Sequence, residues 1–394
     1  MKSPFSSFWM AGYECSDQLN RSGNRVDLYE ATGHLACIEE DYELINALDM
    51  ATVREGLQWS RVEYRPYCYD WSGVKKIIEA ADKKNKQVLW DLCHFGYPDD
   101  LSPLHPQFCN RFVAFSVAFV QMYRDLHPDD VLIVTPINEV SFISWLGGES
   151  GATLPYTKNY GWEVKYKLAQ AYIQAVKSMK NLDSRLLILT TEPLINIIPD
   201  DMENESLVIA AREKNEEQFQ VMDMLTGKLC PELEGDPSLP DIIGCNYYSH
   251  NQWFYPSEKQ ADWKQAAHIN GYKSLSLLCH RVIERYGRPV GITETSFNGI
   301  GKSQWISLIT DECAKMLLEG QKLWGVCIYP VLNRPDWDFP DYWHDSGIWE
   351  VNPYNFRRTL QEEYAETIKK CIRKLTNIQQ HKPALSLLPD KRFG

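Results

Sequence analysis

The sequence predicts an α/β fold: a single (β/α)8 (TIM) barrel with loops inserted at the C-terminal ends of its strands. Three observations carry this. Eight short apolar, β-branched runs recur along the chain, stretches of helical apolar spacing separate them, and each connection is long enough for a parallel crossover. The length of 394 residues suits one large barrel as well as it suits two average domains. The barrel is expected over residues 1–375 and a surface tail over residues 376–394.

The first strand is read at Phe8–Cys15, followed by a polar loop and an amphipathic helix within CIEEDYELINALDM. The second, ATVREGLQWS, carries Arg54 at an otherwise apolar position. Asp70 can cap a helix from Gly73 to Lys84, whose lysine-rich end suits the helix dipole. Then come a third strand at Gln87–Cys93 with His94 at its tip, a helix over Phe108–Leu126, and a fourth strand in VLIVTPINEV ending on Asn138 and Glu139. An aromatic, glycine-containing insertion and a helix to Lys180 precede a fifth strand that ends near Glu192. Helical spacing resumes over Glu203–Leu225. The sixth strand, Asp241–Ser249, ends in Asn246, Tyr247 and Tyr248. A helix to Tyr286 leads to the seventh, PVGITETS, which carries Glu294. A helix over Gln304–Leu318 leads to the eighth, LWGVCIYPV, and a long loop with Asp336 and Trp337 precedes a closing helix over about Asn355–Leu375.

Composition narrows the function. A formal charge of −12 argues against nucleic-acid binding and against a strongly anionic substrate, so a neutral ligand is expected. Eleven cysteines at irregular spacings, with no CxxC pair, read as reduced thiols rather than a disulfide framework. The start, MKSPFSSFW, lacks a basic stretch followed by an apolar core, and no apolar run reaches the ~18 residues of a membrane span. The protein is therefore expected in the cytoplasm, without a membrane partner. No HExxH or GxSxG motif appears, and neither a metal nor a cofactor is expected. The thirteen Trp, 21 Tyr and 14 Phe are mostly core, but aromatics near strand ends also make sugar-stacking walls.

In a parallel barrel the C-terminal strand ends converge on one mouth, where the chemistry sits. Arg54, His94, Asn138, Glu139, Tyr248 and Glu294 all fall near such ends. Two carboxyl groups at one mouth suit glycosidic bond hydrolysis. One protonates the leaving oxygen, and the other attacks the anomeric carbon when the pair is ~5–5.5 Å apart or activates water when it is wider. The short spacing is expected for strands four and seven. Arg54 and Tyr248 suit an ionised Glu294, and Glu139 beside the apolar VSFISW suits a raised pKa.

These segments resemble the retaining glycoside hydrolases of clan A, family 1 above all, over nearly the whole chain. TPINEV is similar to that family's NEP motif, which implies Glu139 as acid/base and Asn138 as the residue holding the sugar 2-hydroxyl. ITETS is similar to TENG and implies Glu294 as nucleophile. The resemblance further implies an active-site arginine at Arg54 within VREGLQWSR, a sugar-binding histidine at His94 within DLCHFGYP, and a tyrosine beside the nucleophile at Tyr248 within GCNYYS. Gln18 within FWMAGYECSDQ is implied as a sugar-binding glutamine, and Asp336 and Trp337 within IYPVLNRPDWD as contacts to sugar hydroxyls. The chain departs from the pattern at Val140, where the family has proline, at Phe95 for tryptophan, at Thr295 and Ser296 for NG, and at Asp336 for a longer Glu.

A plainer reading stands beside each assignment. The two glutamates could form structural salt bridges, Arg54 could pair with any buried acid, His94 could be a satisfied core histidine, and Trp337 could simply pack. Glu14 competes with Gln18 on the same strand. NGIGKS ends like a phosphate-binding loop but has Ser296 where the first glycine belongs, leaving Lys302 as a candidate contact for a substrate phosphate. The expected activity is that of a retaining β-glycosidase acting on a neutral β-glycoside. A transglycosidase of the same mechanism and a non-catalytic sugar-binding barrel are the alternatives.

Overall fold

The computed structural model describes residues 2–380. Eight parallel strands close a barrel: β1 (Trp9–Gly12), β2 (Thr52–Gly56), β3 (Gln87–Cys93), β4 (Ile133–Ile137), β5 (Leu187–Pro193), β6 (Ile242–Asn246), β7 (Val290–Thr295) and β8 (Leu323–Ile328), with β8 pairing back onto β1. The helices between them are α1 (His34–Leu44), α2 (Ser72–Lys84), α3 (Phe108–Leu126), α4 (Gly161–Leu182), α5 (Glu205–Glu217), α6 (Leu275–Tyr286) and α7 (Lys302–Leu318), and α8 (Glu362–Gln380) closes the ring.

The expected strands are all present; β3 has its expected bounds, and the others are shorter, most of them because their last residues turn into the mouth instead of continuing the ladder. Three expectations need correction. The stretch 203–225 is broken into α5 and a short helix, Gln220–Leu225. The closing helix begins at Glu362, because Asn352 accepts from the amides of Tyr354 and Asn355 to make a turn, and Arg358–Leu360 then pairs as a strand with Trp349–Val351. It also runs to Gln380, beyond the expected start of the tail; residues 381–394 lie outside the described part. Four small two-stranded sheets among the described residues are unanticipated; in one of them Asn196–Pro199 pairs in parallel with Gln252–Tyr255 beyond the C-terminal ends of β5 and β6.

Side chains alternate between the barrel interior and the helical shell. Met10, Leu89, Ile133, Leu189, Ile242 and Cys327 share one inner cluster with Phe5 and Tyr329. Outside, α3 buries Phe108, Phe112, Phe115 and Phe119 at helical spacing. The Phe115 ring stacks on Trp59 with centroids 5.4 Å apart and on Trp71 at 5.8 Å. Each such fully buried ring is worth about 1.5–3 kcal/mol.

The alternation places two ionisable neighbours of β2 on opposite faces. Arg54 points into the barrel, and Glu55 points into the shell, where it accepts from Tyr42 Oη at 2.7 Å, from Tyr29 Oη, and from the His34 ring at 3.0 Å. The other nitrogen of His34 meets Asp41 at 2.7 Å, and Asp41 in turn receives Arg358. Burial opposes the imidazolium, but the charges of Glu55 and Asp41 outweigh it and lift the His34 pKa to about 9.

A histidine raised from its ordinary ~6.5 contributes stability that is full below that value and is lost as pH rises through the folded one. For His34 this amounts to roughly 3 kcal/mol at neutral and acidic pH, disappearing between about pH 6.5 and 9. Urea unfolding of the wild type should therefore show stability falling over that window, and His34→Gln should flatten the fall. An unchanged slope in the variant would assign the alkaline loss to other groups.

Candidate active site

Arg54 is the centre of the mouth. Fully buried on β2, it donates from Nη1 to Glu294 Oε1 at 2.7 Å and to the Thr293 carbonyl at 3.1 Å. Its Nη2 donates to Asn138 Oδ1 at 2.8 Å, and its Nε donates to Asp91 Oδ1 at 3.1 Å. Burial alone would weaken the cation, but the facing carboxylates of Asp91 and Glu294 raise its pKa well above the ordinary value. Asp91 also meets His94 Nδ1 at 2.7 Å. Burial opposes its charge, yet Arg54 and His94 hold its carboxyl below the usual range, and Asp91 in turn pushes the His94 pKa up against burial.

The second Glu294 oxygen accepts from Tyr248 Oη at 2.8 Å, so both oxygens have donors of the kind a carboxylate anion takes. The end of β7 is irregular: Ile292 and Glu294 face the adjacent Cys245 and Asn246 of β6, and Ile292 and Thr295 face Val326 and Ile328 of β8. An extra residue of this kind re-aims the side chains beside it, and it lies at Glu294.

Glu139 sits just past β4. Its backbone is left-handed (φ 48°, ψ 59°) and begins the short helix Val140–Ile143, a conformation that costs a non-glycine residue on the order of 1 kcal/mol. Its Oε1 accepts from Asn246 Nδ2 at 2.9 Å, and Thr293 Oγ1 holds the carbonyl end of that amide at 2.7 Å. Burial, then the negative charge of Glu294, raise the Glu139 pKa well above the ordinary carboxyl value; Glu192 adds to this, while Asn246 and Arg54 oppose it. Of the two glutamates in one mouth, Glu294 is thus bonded to an arginine and a tyrosine, and Glu139, whose pKa is raised, to a neutral amide.

Six of the nine residues singled out in the sequence share one hydrogen-bonded cluster: Arg54, His94, Asn138, Glu139, Tyr248 and Glu294. Gln18 is buried close by in sequence to Glu14, and its amide oxygen has no partner. Glu14 itself lies 3.3 Å from Tyr329 Oη and 3.6 Å from His94 Nε2, with Arg334 beyond it. Trp337 stands edge-on to Phe95, 5.6 Å between centroids, and its buried indole N–H has no partner. Asp336 is turned toward its own loop, accepting from the amides of Asp338 and Phe339 and meeting His344 at 2.9 Å.

Sequence reading missed Asp91, Thr191 and Tyr329 and gave Asn246 no role. Alternation within QVLWDLC put an acid among apolar residues on the inner face, a signal that was present for Asp91. Nothing local marks Tyr329, which comes to the mouth from beyond β8 and lies under the Arg54 guanidinium at 5.1 Å. Lys302 is not free for a phosphate: it is buried at the start of α7 and bound to Asp345 at 2.7 Å and to Gln361. Cys15, Asp91 and His94 each bring one metal-type ligand atom together, but the Asp91 oxygens are already taken by Arg54 and His94. A cavity of about 390 Å³ among Lys86, Gln87, Trp90 and His127 lies at the opposite, N-terminal strand ends.

No family model matches the chain. One curated protein, human lactase/phlorizin hydrolase, is 26% identical over 159 residues, which are 37% of this chain and 8% of that protein. Among solved structures, a β-glucosidase from Thermotoga maritima in complex with glucoimidazole superposes with a TM-score of 0.75 at 17% identity, over 96% of this chain and 99% of its own. A structure described as a family 1 β-glucosidase of the same organism gives 0.75 at 16% identity, over 95% and 99%. A hyperthermophilic β-glucosidase mutant gives 0.73 at 15% over 93% and 100%. The (β/α)8 barrel is therefore shared along the whole described chain, at identities that speak for the fold alone.

Asp91→Asn tests the cluster. Leaving Arg54 buried with one anionic partner fewer should cost about 3–5 kcal/mol in urea unfolding. A loss below about 1 kcal/mol, the range of an exposed pair, would show that Asp91 does not hold the arginine.

Proposed function

We propose that the chain is a retaining β-glycosidase acting on a neutral β-glycoside without a cofactor. The observation that carries this is the difference between the two glutamates: both Glu294 oxygens accept hydrogen bonds, one from a cation, while burial and the charge of Glu294 raise the pKa of Glu139. That is the arrangement double displacement needs. The full-length likeness to solved β-glucosidases and the weaker one to lactase/phlorizin hydrolase support the same reading.

In the first step a Glu294 oxygen attacks the anomeric carbon as the glycosidic oxygen departs with the Glu139 proton. In the second, Glu139, now ionised, takes a proton from water, whose oxygen attacks the anomeric carbon and releases Glu294. Arg54 and Tyr248 hold the nucleophile's oxygens and receive its charge when the glycosyl bond breaks. Asn138, fixed by Arg54 and by Thr191 Oγ1 at 2.7 Å, is placed to meet the 2-hydroxyl. His94, the unpartnered Gln18 oxygen and the unpartnered Trp337 N–H supply further sugar contacts, since a buried polar atom without a partner is costly until a ligand satisfies it. Asp336 is engaged within its own loop by the Asp338 and Phe339 amides and by His344.

The chain has no positive charge excess that would favour nucleic acid, and no helix among the described residues is long and apolar enough to cross a membrane. Its eleven cysteines are all unpaired, which supports placement in the reducing cytoplasm.

Aryl β-glycosides should be turned over, and Glu294→Ala should lower kcat by ~1,000-fold or more. A 2-fluoro sugar should label Glu294 covalently, as mass spectrometry of the peptide would show; unlabelled protein with full Glu294→Ala activity would refute the assignment. The pH profile gives the complementary test. Glu139 must be protonated for the first step, so kcat/KM should fall as pH rises through its elevated pKa, and Glu139→Gln should abolish that alkaline limb.

A further inference from the structure

Double displacement by Glu139 and Glu294 leaves the buried carboxyl beside Glu139 unused. Glu192 ends β5 beside Glu139, and its two oxygens lie 3.3 and 3.2 Å from the amide nitrogen of Ser141. Ser141 lies in the first turn of the short helix that Glu139 begins, where amides have no partner inside the helix. The charged and titratable groups facing Glu192 include Lys165 and Tyr172 on α4 and Glu139 itself. Lys165 Nζ is engaged with Gln220 at 2.7 Å.

Resting on the glycosidase reading, we infer that Glu192 is a positioning residue that aims the acid Glu139 by clamping the backbone immediately after it. Three amides around the acid are tied to neighbouring strands: Asn138 to the Cys93 carbonyl at 2.9 Å, Glu139 to the Thr191 carbonyl at 3.0 Å, and Ser141 to the Glu192 carboxyl at 3.2 Å. The clamp holds Glu139 in its left-handed backbone, which no intrinsic preference of glutamate maintains.

Glu192→Gln preserves shape but replaces one of the two acceptor oxygens facing the Ser141 amide with an NH2 donor, and Glu192→Asp keeps the charge but draws it back by one methylene. A misaimed acid matters only where the leaving group needs a proton. With a methyl β-glucoside, kcat/KM of the Gln variant should fall by roughly 10- to 100-fold, and with a dinitrophenyl β-glucoside, whose leaving group departs unprotonated, by no more than about 3-fold. The Asp variant should show the same asymmetry to a smaller degree. Equal losses on both substrates overturn the inference, because they report general damage to the mouth. If the wild type turned over neither glucoside, the glycosidase reading itself would fail. Independently of turnover, crystal structures of both variants should show residues 139–141 displaced and the hydrogen bond from Asn246 to Glu139 broken; an unmoved Glu139 in both refutes the clamp.

Discussion

The mouth of this barrel depends on one buried guanidinium. Arg54 has no solvent to hydrate it, so its position is tolerable only because Asp91, Glu294, Asn138 and a backbone carbonyl accept its hydrogen bonds. A buried cation with fewer anionic partners would cost several kcal/mol. That requirement ties β2, β3, β4 and β7 into one polar layer above the apolar plug, and each partner then fixes another group. Asp91 orients His94, Asn138 is shared with Thr191, and Glu294 is left with one oxygen for Tyr248.

The same cation explains why two like residues behave differently. Glu294 is bonded to Arg54, whereas Glu139 is bonded to a neutral amide and faces the charge of Glu294. Chemical identity is equal; environment separates the roles. Glu192 extends the logic to a third carboxyl, spent on a backbone amide rather than on a substrate.

Strand β2 shows the same demand for partners from its other side. Glu55, adjacent to Arg54, carries charge into the apolar shell, where His34, Tyr29 and Tyr42 receive it and Asp41 and Arg358 complete the network. One strand thus supports two buried polar clusters on opposite faces, one joined to chemistry and one to the attachment of α1 and the segment leading into α8. Period-two alternation is the whole reason they do not merge.

Eight strand and helix signals, a neutral-ligand bias and two glutamates at strand tips were legible in the sequence because each is a local pattern: apolar periodicity, net charge, and a carboxylate ending a β-branched run. Arg54, His94, Asn138 and Tyr248 were legible for the same reason, each lying within a few residues of a strand end. What tertiary structure decided was everything that depends on partners distant along the chain. Asn246 against Glu139, Tyr329 under Arg54, the irregular end of β7 that aims Glu294, and Glu192 on the Ser141 amide all arise from strand register around a closed barrel. Asp336 and Lys302 show the converse, since side chains that look available in a sequence are taken by neighbours in their own region. Local pattern specifies which groups reach the mouth; closure of the barrel determines which of them touch.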